Sequence, residues 1–174
     1  MKQLQLQELN RLNESDFKAL KKNPIVIVLD SVRSLNNVGS AFRTADALAL
    51  EKIYLCGITG TPPHRDINKT ALGAQNSVDW EPQNNISEVL KNLKSVGYKI
   101  LVAEQTNKSV MLNEYQPKIG SKLAIIFGNE VNGVSQEALE LSDTAIEIPQ
   151  YGTKHSFNVS VSLGIITWDI LQKL

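Results

Sequence analysis

Residues 24–56 read PIVIVLDSVRSLNNVGSAFRTADALALEKIYLC, and the pattern in this stretch decides the fold. Ile25-Val26-Ile27-Val28-Leu29 is an unbroken apolar run rich in β-branched residues, as in a strand buried on both faces. Residues 37–49 then carry helical patterning, and Ile53-Tyr54-Leu55-Cys56 reads as a second strand, ended by Gly57. Strand, helix and strand in succession predict an α/β domain with a mostly parallel sheet flanked by helices.

The alternation continues downstream. A loop with Pro62-Pro63 leads to a short predicted helix near 65–73, and a longer one over 86–95 ends before Gly97. Lys99-Ile100-Leu101-Val102-Ala103 and Leu123-Ala124-Ile125-Ile126-Phe127 read as strands, the second stopped by Gly128. Ser135 suits the N-cap of a helix over 135–142. Ala145-Ile146-Glu147-Ile148 is a strand ended by Pro149, and residues 157–173 form the last helix. Upstream, residues 3–21 read as one helix, with Leu6, Leu9, Leu12, Phe17 and Leu20 near the helical period. Lys18, Lys21 and Lys22 lie near its end, where the dipole favours cations, and Asn23-Pro24 stops it. The chain thus divides into a short helical extension over 1–23 and a main domain over 24–174.

Composition narrows the function. A chain of 174 residues suits one domain, and 42% hydrophobic with 21% charged residues is globular rather than disordered. The single Cys56 and the two histidines, His64 and His155, argue against a disulfide framework or a conventional zinc site. Eighteen basic and eighteen acidic residues balance, which argues against coating nucleic acid by bulk charge. The charge is uneven, however. All four arginines (Arg11, Arg33, Arg43, Arg65) fall in the first 65 residues, while 122–150 carries Glu130, Glu137, Glu140, Asp143 and Glu147 against Lys122 alone. An anionic partner is therefore expected on the side built by the N-terminal half. Without a signal-like or membrane-spanning run, we expect a soluble cytoplasmic protein with a reduced cysteine.

Three polar loops, 30–40, 128–135 and 149–158, follow strands at the ends where open α/β sheets bind ligands. In the first, Gly39 permits close approach of a ligand or another backbone. Arg43 has the planar fork suited to a phosphate, or is a solvated arginine on a helix face. In the second, the spacing of Gly128, Gly133 and Ser135 is that of a phosphate-cradling loop. Val134 stands where that motif needs lysine, so a nucleotide triphosphatase is rejected. Glu130 is placed to accept hydrogen bonds from nearby backbone or from Arg43. In the third, Ser156, Asn158, Ser160 and Ser162 suit either ligand contacts or a capped, closely packed helix start. His155 lacks an orienting carboxylate nearby in sequence and reads as a loop or RNA-facing residue. His64 reads as loop chemistry with an anion contact.

Together and in this order, the three segments resemble the SpoU (TrmH-type) branch of the SPOUT methyltransferases. The first motif, N-x-G-x-x-x-R-T-A, is matched by Asn37, Gly39, Arg43, Thr44 and Ala45. The second, F-G-x-E-x-x-G-[LV]-S, is matched by Phe127, Gly128, Glu130, Gly133, Val134 and Ser135. In the third, I-P-M-x-G-x-x-x-S-L-N-V-S, the matches are Ile148, Pro149, Gly152, Ser156, Asn158, Val159 and Ser160. Gln150 and Phe157 stand where methionine and leucine are common.

The resemblance implies a C-terminal deep trefoil knot, S-adenosylmethionine as cofactor, a homodimer with its active site at the subunit interface, and methylation of a ribose 2′-hydroxyl in RNA. Carried over by position, Ala103, Gly128, Ile148 and Phe157 line the cofactor. Arg43 acts with the target phosphate to activate the hydroxyl, while Asn37, Glu130, Ser156 and Asn158 position the arginine, the ribose and the cofactor. Arg33, Arg65, Lys69 and Lys154 are expected to face RNA phosphates, with no metal and no membrane involved. Only 23 residues precede the core, so the catalytic domain, the N-terminal helix and a second subunit are expected to grip the RNA. That small apparatus favours a folded tRNA, read by shape and phosphates, over rRNA. The rival reading is a non-catalytic knotted RNA-binding module.

Overall fold

The computed structural model describes residues 1–174, with the side chains of residues 6 and 7 left outside the description. The N-terminal extension differs from the single helix expected over 3–21. A 3-10 helix, Leu6–Leu9, closes on Asn10, whose φ is 46°. Helix α1 (Glu14–Ala19) then starts afresh, its Asn13 cap accepting the Asp16 N–H at 2.9 Å. Asparagine tolerates the left-handed region and competes for backbone N–H groups, so two asparagines break what the leucine spacing would continue. The Leu6 side chain, part of that expectation, lies outside the described residues. Phe17 is buried, with the Lys22 ammonium 3.3 Å above its ring.

From residue 23 onward the predicted alternation holds. In chain order follow β1 (Asn23–Asp30), α2 (Leu35–Ala47), β2 (Leu50–Cys56), α3 (Arg65–Ala71) and α4 (Ala74–Ser77). Next come β3 (Trp80–Gln83), α5 (Ile86–Ser95), β4 (Tyr98–Ala103), β5 (Val110–Met111) and β6 (Lys122–Phe127). The chain closes with α6 (Gln136–Leu141), β7 (Thr144–Glu147) and α7 (Val159–Lys173). The seven strands form one sheet in the order β3-β2-β1-β6-β4-β7-β5, parallel at every pairing. Strands β3 and β5 extend the edges and were not expected from sequence. They have four and two residues, and Pro82 in β3 is tolerated because an edge strand can spare an N–H.

Alternating side chains of the central strands fill two cores. Ile25, Ile27, Leu29, Ile125 and Phe127 point to the face covered by α2, α3 and α7, where Phe42 and Ile67 are fully buried. Val26, Val28, Ala124 and Ile126 point to the face covered by α5 and α6. Burial on both faces is why these strands read as continuous apolar runs. Cys56 is buried in the second core, which with the nearby Asp30 charge pushes its thiol up to about 12. It is a packing residue, not a nucleophile.

Gly39 lies inside α2 rather than in a loop, and another backbone makes the close approach. A side chain there would strike Thr70 Oγ1 and the Ile67 carbonyl of α3. Thr70 also donates to the Asn36 carbonyl at 3.0 Å, fixing the two helices together. We expect Gly39→Val to lower stability by about 1–3 kcal/mol, as overpacking does. Urea unfolding measures this, and an unchanged midpoint would mean the helices separate freely.

Candidate active site

Because every strand runs the same way, the loops after β1, β4, β6 and β7 open at one edge of the sheet. Strands β1 and β6 are neighbours there, and a set of polar contacts ties their ends. Glu130 accepts the Arg33 N–H at 2.9 Å, the Ser34 N–H at 3.0 Å and the Asn37 amide at 2.9 Å. Asn129 donates to the Ser31 carbonyl at 2.8 Å, and Asp30 accepts the Ser135 N–H at 2.7 Å. Of the two partners foreseen for Glu130, backbone and Arg43, the structure supplies the backbone, with Asn37 in addition. Burial pushes the Glu130 carboxyl up, but the Arg33, Asn37 and Ser34 donors outweigh it and hold the group below its ordinary 4.5. Ser135 caps α6 as expected, accepting the Ala138 N–H.

Beside this junction lies a cavity of about 500 Å³, within the usual range for small-molecule sites. Ala103, Gly128, Ile148 and Phe157, the four positions carried over for the cofactor, all line it. So do Glu130, Ser156 and Asn158. Gly128 serves the chain itself as well, because a side chain there would meet the backbone of Gly133 and Val134. Asn158 takes the capping role left open above, accepting from Ser160 N and Oγ at 2.9 and 2.7 Å. The loop 151–158 is exposed and held partly through the His155 carbonyl, which accepts the amides of Gln105 at 2.9 Å and Gln150 at 3.3 Å. Glu104, Gln105 and Glu147 also line the cavity and were missed in the sequence. The available signal was their position at strand ends, Glu104 and Gln105 just after β4 and Glu147 as the last residue of β7, beside the Ala103 and Ile148 that were singled out.

Arg43 lies elsewhere. With Ser40, Thr44, Ala47 and Leu48 of α2 and its end, Lys69 and Thr70 of α3, and Gly164 and Trp168 of α7, it lines a second, open groove. Within one chain, Arg43 thus lines a different cavity from Glu130, Ser156 and Asn158. Asn37 and Arg43 are six residues apart, which at 3.6 residues per turn sets them about 120° apart around α2. Lys69 joins Arg43 in the groove, while Arg33, Arg65 and Lys154 are exposed and line neither cavity. Next to the groove, α7 exposes Val161, Ile165 and Trp168.

The model of the SpoU rRNA methylase family matches residues 24–168. The chain belongs to the SpoU family. A tRNA (guanosine(18)-2′-O)-methyltransferase of Borreliella burgdorferi is 30% identical over 155 residues, 89% of this chain and 69% of that protein. A crystal structure of the A. aeolicus TrmH/SpoU tRNA modifying enzyme matches with a TM-score of 0.81 at 26% identity, over 92% of this chain and 81% of that one. An AdoMet-bound rRNA methyltransferase from Sinorhizobium meliloti shares the fold, with a TM-score of 0.81 at 22% identity over 91% and 60%. The chain spans between 60% and 69% of the length of the curated relatives it matches. No helix among the described residues is long and apolar enough to cross a membrane.

S-adenosylmethionine suits the cavity. Ile148, Phe157, Val159 and Ile166 offer apolar surface for a purine ring, and loop backbone and the carboxylates offer polar partners.

Glu130 yields a test with a defined sign. Its carboxyl is held low, so its charged form stabilises the fold above about pH 4.5 and that contribution is lost as pH falls through the lowered value. Being exposed, it contributes about 1 kcal/mol at neutral pH. Urea unfolding of Glu130→Gln should show that loss at pH 7 and a closing gap to wild type by pH 3. An equal gap at both would assign Glu130 to shape rather than charge.

Proposed function

We propose that this SpoU protein methylates a ribose 2′-hydroxyl of RNA, using S-adenosylmethionine, as a homodimer whose active sites each draw on two copies. The gathering of Ala103, Gly128, Ile148, Phe157, Glu130, Ser156 and Asn158 around one cavity carries the reading. The cofactor, when bound, supplies an electrophilic methyl group. Ile148 and Phe157 hold its apolar part, and the loop 151–158 closes over it. Arg43, from the partner copy, holds the phosphate next to the target ribose. Charged guanidinium is a poor base, so Arg43 would act through that phosphate, which would take the hydroxyl proton while the guanidinium stabilises the negative charge.

The groove and α7 support the two-copy arrangement. Arg43 lines the groove and not its own cavity, and Val161, Ile165 and Trp168 form an apolar face beside the groove. A C2 contact through such a face would bring each Arg43 to the other copy. Arg33, Arg65, Lys69 and Lys154 would line the approach for phosphates, giving salt-sensitive binding. We favour tRNA, the substrate in the names of the Borreliella and A. aeolicus relatives, over rRNA, and a cytoplasmic setting. Residues 24–174 form the catalytic domain in this reading, and the knot implied by the family would lie in their C-terminal part. Residues 1–23 would be an accessory extension.

Arg43→Ala should bind S-adenosylmethionine within about twofold of wild type by calorimetry, yet lose at least about 100-fold in single-turnover methylation. Arg43→Lys should also fall steeply, since it keeps the charge but not the fork. A near wild-type rate for Arg43→Ala would make Arg43 a solvated surface residue. Ile165→Asp with Trp168→Asp should give a monomer by light scattering, with cofactor binding intact and transfer abolished. Ribose-methylation mapping of tRNA and rRNA from cells with and without the protein separates the two substrates. No change in either leaves the non-catalytic module as the better account.

A further inference from the structure

The cavity has a charge asymmetry that the proposed chemistry does not use. Three carboxylates line it, Glu104, Glu130 and Glu147, and among the described residues no lysine or arginine does. Their environments differ. Glu130 is saturated by three donors at the β1–β6 junction. Glu147 accepts the Ser109 hydroxyl at 2.8 Å, at the β5 edge. Glu104 has one oxygen on the N–H of its neighbour Gln105 at 2.9 Å, and the other only on a long 3.3 Å contact from Val134 N–H. Its carboxylate lies against Gly133, whose missing side chain leaves it room. No ion pair among the described residues involves Glu104. It is a half-buried carboxylate with spare acceptor capacity and no ion-pair partner, on the wall of the cavity.

We infer that Glu104 makes this pocket select the charged cofactor over its spent form. The inference rests on the proposed use of S-adenosylmethionine. That molecule carries a sulfonium, an ammonium and a carboxylate, and so has net charge +1. Loss of the methyl group turns the sulfonium into a neutral thioether and leaves S-adenosylhomocysteine with net charge zero. The two differ little in shape, so apolar contacts and hydrogen bonds to the purine, ribose and amino-acid parts are shared. Only a group that senses the sulfonium charge can separate them. An uncompensated carboxylate in a site of lowered dielectric does so, because its attraction to a cation is poorly screened there. The consequence is directional: Glu104 holds the reactant and releases the product, which eases turnover where spent cofactor would otherwise occupy the pocket.

The test is equilibrium binding to the full chain, with no RNA and no turnover. Dissociation constants are measured by calorimetry for S-adenosylmethionine, S-adenosylhomocysteine and sinefungin, which carries an amine-bearing carbon where the sulfonium stands and is cationic. Wild type should favour the two cations over the neutral product. Glu104→Gln keeps size and can still accept from Gln105, while its amide nitrogen replaces the oxygen that had only the long 3.3 Å contact with Val134 N–H. It should weaken both cations about tenfold and leave S-adenosylhomocysteine within twofold. The neutral ligand therefore reports that the pocket is still folded. Equal weakening of all three ligands would make Glu104 a structural or ribose-contacting residue and overturn the inference. So would an unchanged set of constants, or a wild type with no preference for the cations. Should wild type bind neither S-adenosylmethionine nor its product, the proposed function itself falls, a result distinct from binding without charge preference.

Discussion

The site depends on a weld between the ends of β1 and β6. The two strands lie about a hundred residues apart in the chain yet side by side in the sheet, with Val28 opposite Ile126. The apolar burial of both faces brings them together and offsets the entropy of closing so long a loop. The polar contacts then set the register of the loops beyond. Asp30, Ser31, Arg33, Ser34 and Asn37 on one side meet Ser135, Asn129 and Glu130 on the other. Each bond adds little net stability, but a buried donor left unpaired would cost more than its bond contributes. Asn37 and Glu130 are therefore positioning groups first. They fix the start of α2 and the turn 128–135, and so fix where both the cavity and Arg43 stand.

The charges around this weld are sorted. The cavity side carries carboxylates and the groove side carries Arg43 and Lys69. In the proposed reaction the cofactor is a cation and the RNA an anion, and one mixed site would serve both poorly. Separate surfaces give each ligand a field of the right sign. The balanced total of eighteen basic and eighteen acidic residues conceals this division.

Much of this was legible in the residues, for physical reasons. Strands β1, β4 and β6 are buried on both faces, so their apolar runs are continuous and unmistakable. The edge strands β3 and β5 bury little, so they leave no such run. The N-terminal stretch misled because leucines three apart fit a 3-10 turn as well as an α-helix, and Asn10 and Asn13 decided between them. The four positions carried over from the family resemblance share one cavity because they stand near the carboxyl ends of parallel strands, where ligands collect. Glu104 sits at the same place and was passed over, since no motif marks it. What distinguishes it is the absence of a countercharge, which only the folded chain shows.

Arg43 shows where a linear motif stops being informative. Asn37, Gly39 and Arg43 share one motif but face three ways: Asn37 toward Glu130, Gly39 onto α3, and Arg43 into the groove with Ser40, Thr44 and Ala47. The last four are spaced three and four apart, so they form one stripe along α2. A motif fixes which residues are present, and the 100° step of the helix fixes which surface each one serves. The same six-residue spacing that keeps Arg43 from its own cavity presents it beside the bare face of α7. Covering that face with a second copy would therefore bury apolar surface and supply an arginine in one event, so dimer formation and completion of the site would be a single equilibrium.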